Sequence, residues 1–93
     1  MTDRIFDSVW DAIEDTPADA AHMRIRSQLM MVLRDHIEQS GLSQVQAAKI
    51  LGVTQPRVSD LMRGKIDLFA IDSLITMLSA VGLQVELRVA AAA

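Results

Sequence analysis

Residues 44–63 read QVQAAKILGVTQPRVSDLMR, and the placement of small, branched and polar side chains in this stretch decides the fold. A helix opening at Gln44 puts Val45, Ala48 and Leu51 at i, i+3 and i+6 on a face turned to the core, with Gln46 and Lys49 pointing outward. Ala47 and Ala48 fall where a second helix would cross steeply, a place with no room for a branched side chain. Gly52 then ends the helix, because a glycine after an apolar-periodic run takes the left-handed conformation that satisfies the last carbonyls, and Val53 tucks back into the core. Thr54 restarts the chain as an N-cap whose hydroxyl accepts from the amide of Arg57. Pro56, at the second helical position, loses no bond there, since that amide has no intrahelical partner. Val58 and Leu61 bury this second helix. Gln55, Arg57, Ser59 and Asp60 remain on faces open to a ligand, followed by Arg63, Gly64 and Lys65. Upstream, Ser43 caps the first helix with Gln46 as its capping-box partner.

Any helical hairpin can show a glycine break and a cap. A small residue at the crossing, a glycine four positions later and a Gln/Arg/Ser surface at the start of the second helix are a rarer combination. Together they predict a helix-turn-helix whose second helix enters the DNA major groove.

The 93 residues support one domain, which buries only about 60–70 per cent of its unfolded surface and gains from a partner. Aromatics make up 3% of the chain, which with the dominance of aliphatic residues favours a small helical core over a sandwich or barrel. The absence of cysteine excludes disulfides and thiolate metal sites. No apolar run approaches the roughly 20 residues needed to cross a bilayer, and the first residues are acidic where a signal peptide is basic, so the reading is cytoplasmic with no membrane partner.

A net charge of −3 is unexpected in a DNA binder until it is divided along the chain. Residues 1–20 hold Asp3, Asp7, Asp11, Glu14, Asp15 and Asp19 against Arg4, a balance of −5, which leaves +2 for the rest. Residues 43–65 hold Lys49, Arg57, Arg63 and Lys65 against Asp60, a local +3. Phosphate attraction acts within a Debye length of about 8–10 Å, so this basic face works on an acidic protein.

Three units follow. Residues 1–20 form an acidic N-terminal arm, in which Ile5, Phe6, Val9, Trp10 and Ile13 make one apolar stripe of a short helix stopped by Thr16 and Pro17. That stripe packs on the domain's own core or docks onto a basic partner protein. Residues 21–82 form the DNA-binding domain. Its long helix spans about 18–40, with Ile25, Leu29, Val32, Leu33 and Ile37, and with Met30 as a further candidate, giving the helical period, and Gly41 caps it. Arg24, Arg26, Arg34, Asp35 and Glu38 populate its solvated side. His22 and His36 are 14 residues apart, about 21 Å of helical rise, too far for joint metal ligation. Residues 66–69 read as a connector with apolar anchors. A further helix runs over 71–81 with Leu74, Ile75, Leu78 and Val81 inside and Asp72 near its positive end.

Residues 83–93 form the third unit, a dimerisation strand and frayed tail. After Gly82 the period drops to two, with Leu83, Val85, Leu87 and Val89 alternating with Gln84, Glu86 and Arg88. A lone strand leaves its backbone unpaired, so either the N-terminal arm or a second copy must pair with it; since the arm reads as helical, antiparallel pairing with a second copy across a two-fold axis is expected, and centred on Leu87 it opposes Glu86 to Arg88. The expected fold class is all-α, a compact bundle of about five helices with one C-terminal β-strand pairing across a homodimer.

With those residues in place, the chain resembles the XRE/Cro-type helix-turn-helix proteins and, more narrowly, the HigA-type antitoxins of bacterial toxin–antitoxin operons. The likeness lies in SVWDAI at residues 8–13, in GLSQVQAAKILGVTQPRVSDLMRGKIDLFAIDSL at 41–74 and in LQVELRV at 83–89. The resemblance implies phosphate contacts by Gln44, Thr54, Arg63 and Lys65, and base contacts by Gln55, Pro56, Arg57, Ser59 and Asp60. Arg57 suits guanine and Gln55 adenine. Pro56 departs from the polar residue of some phage repressors and suits a thymine methyl. It also implies a double-stranded operator in the chain's own promoter and a small basic toxin, a RelE/HigB-like ribonuclease, met by Phe6, Val9, Trp10 and Ile13. The alternative is a stand-alone or phage-type repressor without a toxin. An enzyme is disfavoured, and no cofactor or metal is expected, because no nucleophilic cysteine, metal cluster or phosphate-cradling loop is present.

Overall fold

The computed structural model describes residues 16–91, which form four α-helices and one short 3-10 turn. The helices are α1 (Pro17–Gln39), α2 (Gln44–Leu51), α3 (Gln55–Met62) and α4 (Ile71–Ala80), with the 3-10 turn at Ile66–Leu68 before α4. The fifth helix expected from the sequence falls in residues 1–15, outside the described residues.

Thr16 and Pro17, read as the stop of the arm, form the start of α1; the arm itself lies outside the described residues. The Thr16 hydroxyl accepts from the amide of Asp19 at 3.0 Å and Pro17 occupies the first helical turn. Threonine followed by proline suits a helix start, since proline's missing donor is one that the first turn leaves unpaired. The long helix therefore begins inside the unit assigned to the arm. It ends at Ser40, with Gly41 next in the left-handed region at φ +69°.

α1 packs along α4, and α2 packs across α3, around one core made of Met30, Leu33, Ile37, Ala47, Ala48, Leu51, Val58, Leu61, Phe69, Leu74, Met77 and Leu78. Three helices turn differently from their expected faces. On α1, Ile25 and Val32 are 44% and 52% exposed while Met30 is buried. On α2, Val45 is half exposed and Ala47 is buried in its place. On α4, Ile75 lies outside and Met77 inside. In each case the apolar set is wider than one face, and the neighbouring helix covers only part of it.

No strand forms among the described residues, and residues 83–91 have no regular secondary structure. Leu83 and Val85 pack against the core, whereas Leu87 and Val89 are 87% and 91% exposed. Among the described residues this segment has no ladder partner, and its alternating pattern alone does not make a strand.

Candidate nucleic-acid interface

The caps and the glycine hinge that join α2 to α3 take the geometry that the sequence predicts. Ser43 and Gln46 form a full capping box: the Gln46 amide donates to the Ser43 hydroxyl at 3.1 Å and the Ser43 amide donates to the Gln46 side-chain oxygen at 2.9 Å. Gly52 sits at φ +71° and its amide, like that of Val53, donates to the Ala48 carbonyl. Thr54 accepts from the Arg57 amide at 3.3 Å, and Pro56 lies in the first turn of α3. Val58 and Leu61, both fully buried, anchor α3 on the core and fix which of its side chains remain outside.

Gln55 and Pro56 are exposed at the start of α3, and Ser59 and Asp60 are half-buried one turn later. Gln55 and Ser59, four positions apart, lie on one helix face. Thr54 is exposed beside them and Gln44 half-buried at the start of α2. Beyond the other end of α3, Arg63 and Lys65 are exposed. Lys65 Nζ lies 3.4 Å from the Asp60 carboxylate. An exposed pair of this kind contributes about 0.2–1 kcal/mol, so it does not withhold the ammonium from a phosphate.

Arg57, expected at a base edge, has its guanidinium engaged within the chain. Its Nη1 donates to the Leu68 carbonyl at 2.6 Å and its guanidinium carbon lies 3.9 Å from the centre of the Phe69 ring. Phe69 is itself buried, so the side chain ties α3 to the connector before α4. A second feature was not legible in the sequence. Arg34 of α1 approaches the turn after α3, its Nη1 3.4 Å from where a Cβ on Gly64 would lie, and its Nε is buried without a hydrogen-bond partner. Gly64 has φ +73°, a left-handed backbone that favours glycine there. This brings a third cation to the end of α3 that carries Arg63 and Lys65; a separation of 30 positions between Arg34 and Gly64 hides that proximity from any local pattern.

The toxin-contact candidates Phe6, Val9, Trp10 and Ile13 lie outside the described residues. Among the described residues no group of His, Cys, Asp and Glu converges as a metal site, and no helix is long and apolar enough to cross a membrane.

Residues 12–90 match the family described as a helix-turn-helix domain. A solved structure described as an XRE-family transcriptional regulator is similar over 80% of this chain and 83% of its own, at 34% identity and a TM-score of 0.74. The chain belongs to the XRE family of helix-turn-helix regulators. No protein of curated function matches it. As an XRE-family regulator it is a DNA-binding protein of transcription control, and the α2–Gly52–α3 unit is its helix-turn-helix.

Proposed function

We propose that this XRE-family regulator is an operator-binding autorepressor and antitoxin that acts as a homodimer and neutralises a RelE/HigB-like ribonuclease toxin. The observation that carries the DNA half is α3: a capped helix pinned by Val58 and Leu61 that presents Gln55, Pro56 and Ser59 outward, with cations at its far end. Gln55 reads adenine, Pro56 meets a thymine methyl, and Ser59 and Asp60 complete the base contacts. Gln44, Thr54, Arg63 and Lys65 hold phosphates, joined by Arg34. Arg57 serves chiefly to set the angle of α3, because its guanidinium is engaged by Phe69 and the Leu68 carbonyl.

Two copies pair through Leu83, Val85, Glu86, Leu87, Arg88 and Val89. The support is that Leu83 and Val85 are anchored on the core while Leu87 and Val89 project uncovered. A two-fold dimer of this kind places two copies of α3 about 34 Å apart, one helical turn of DNA. The antitoxin half rests on the acidic residues 1–20 with Phe6, Val9, Trp10 and Ile13, whose charge suits a basic, RNA-binding toxin.

The test is a footprint of the purified protein on the DNA upstream of its own gene, with Gln55→Ala compared over single-base variants of the protected site. Relaxed preference at one base pair, a loss of about 1–3 kcal/mol there, is expected. A uniform loss over all sequences would move Gln55 to the phosphates. Deleting residues 1–15 separates the antitoxin from a stand-alone repressor: DNA binding retained with toxin neutralisation lost supports the former.

A further inference from the structure

A groove of 480 Å³ opens between the first turns of α1 and the start of α4, lined by His22, Arg26, Ala70, Ile71, Asp72 and Ile75. Its volume falls within the roughly 300–1,000 Å³ of sites that bury small ligands, and its surface is mostly hydrocarbon. Ile75 on its wall is 40% exposed, although α4 needs that position neither for capping nor for its core contacts. Among the described residues no carboxylate lies within ion-pair distance of Arg26.

We infer that the acidic, aromatic-bearing residues 1–15 of the same chain are the occupant of this groove, their apolar side chains matching its hydrocarbon wall and their net negative charge matching Arg26 and His22. Reach permits it. Trp10 precedes Thr16 by six residues, up to about 20 Å of extended chain, and His22 and Arg26 lie about 9 and 15 Å along α1 from Thr16. Charge favours it. The segment carries Asp3, Asp7, Asp11, Glu14 and Asp15 against Arg4, and the groove offers two basic side chains to one acid. Tethering favours it over a second copy, since a short linker holds the segment at an effective concentration of about millimolar. The C-terminal residues 83–89 of another copy have no such match, carrying one charge of each sign. This docking is a property of the free chain and does not rest on the toxin reading; a basic partner that takes the acidic segment has to draw it out of the groove.

Trp10 is the chain's single tryptophan, so its emission reports on this segment alone. The full-length protein is measured for emission maximum and acrylamide quenching, as wild type, Ile75→Asp and Arg26→Glu, with helicity at 222 nm confirming that each variant is folded. A blue-shifted, protected Trp10 is expected in the wild type, independent of protein concentration. In Ile75→Asp the docked-to-undocked ratio should fall about tenfold or more, the loss of one aliphatic contact with the segment, with a red shift and greater quenching. Arg26→Glu should shift emission in the same direction and, as a surface change, keeps the test open if Ile75→Asp fails to fold. Solvent-like emission in the wild type would overturn the inference. So would protection that neither variant alters, which places the segment elsewhere, or protection that grows with concentration, which assigns the cover to a second copy.

Discussion

Replacing Arg57 by alanine separates a side chain that reads DNA from one that holds the reading helix in place. The guanidinium lies on a buried ring at 3.9 Å and donates to the Leu68 carbonyl at 2.6 Å. A cation–π contact contributes about 0.5–1 kcal/mol at exposed sites and about 2 when desolvated. A hydrogen bond from a charged group adds about 1.5–3 kcal/mol. Arg57 is half-buried, so solvent competes for both contacts, and a joint loss of about 2 kcal/mol is expected in place of the sum of the upper limits. For a domain of this size that lowers Tm by about 8–16 °C. Arg57→Lys keeps the charge but loses the planar stack, and should fall between the two. Thermal unfolding followed at 222 nm gives the stability; binding to single-base operator variants, at a temperature where all forms are folded, gives the specificity. The expected result is a lower Tm with base preference unchanged. A Tm within about 2 °C of wild type, together with relaxed preference for one base pair, would refute the clamp and return Arg57 to a guanine edge.

Lys65→Ala should weaken binding to all sequences alike and reduce the salt slope by about one unit, measured by anisotropy over a salt series, while costing little stability because its ion pair with Asp60 is exposed. Gly52→Ala should destabilise by about 1–2 kcal/mol in urea titration, from left-handed strain alone, because an added Cβ meets open space. Leu61→Ala removes a fully buried side chain from α3 and should cost about 2–5 kcal/mol, read as a lower urea midpoint by circular dichroism.

The helix-turn-helix was legible because its determinants are local. Ser43 with Gln46, Gly52, and Thr54 with the Arg57 amide act within four residues of one another, and each adopts the expected geometry. The faces of the helices were less legible. α1 carries apolar residues around more than half of its circumference, so periodicity offered Ile25 and Val32 to the core as readily as Met30. On α4, likewise, Ile75 and Met77 are equally apolar candidates, and only the seat of α1 selects between them. Thr16 and Pro17 carry the same signal for stopping one helix and starting another; the capping bond to Asp19 shows the start.

By itself, then, the sequence determined the two motif helices, their caps and hinge, and the outward Gln55, Pro56 and Ser59, because hydrogen bonds and backbone conformation over a few residues depend on nearby residues alone. Only the tertiary structure decided that Arg57 turns to Phe69 and Leu68, that Arg34 joins the end of α3, and that the groove beside Ile75 lies next to the start of α1. Those are contacts between elements brought together by burial of a shared core, and the free energy that selects them belongs to the packed set of helices and to no single stretch of chain.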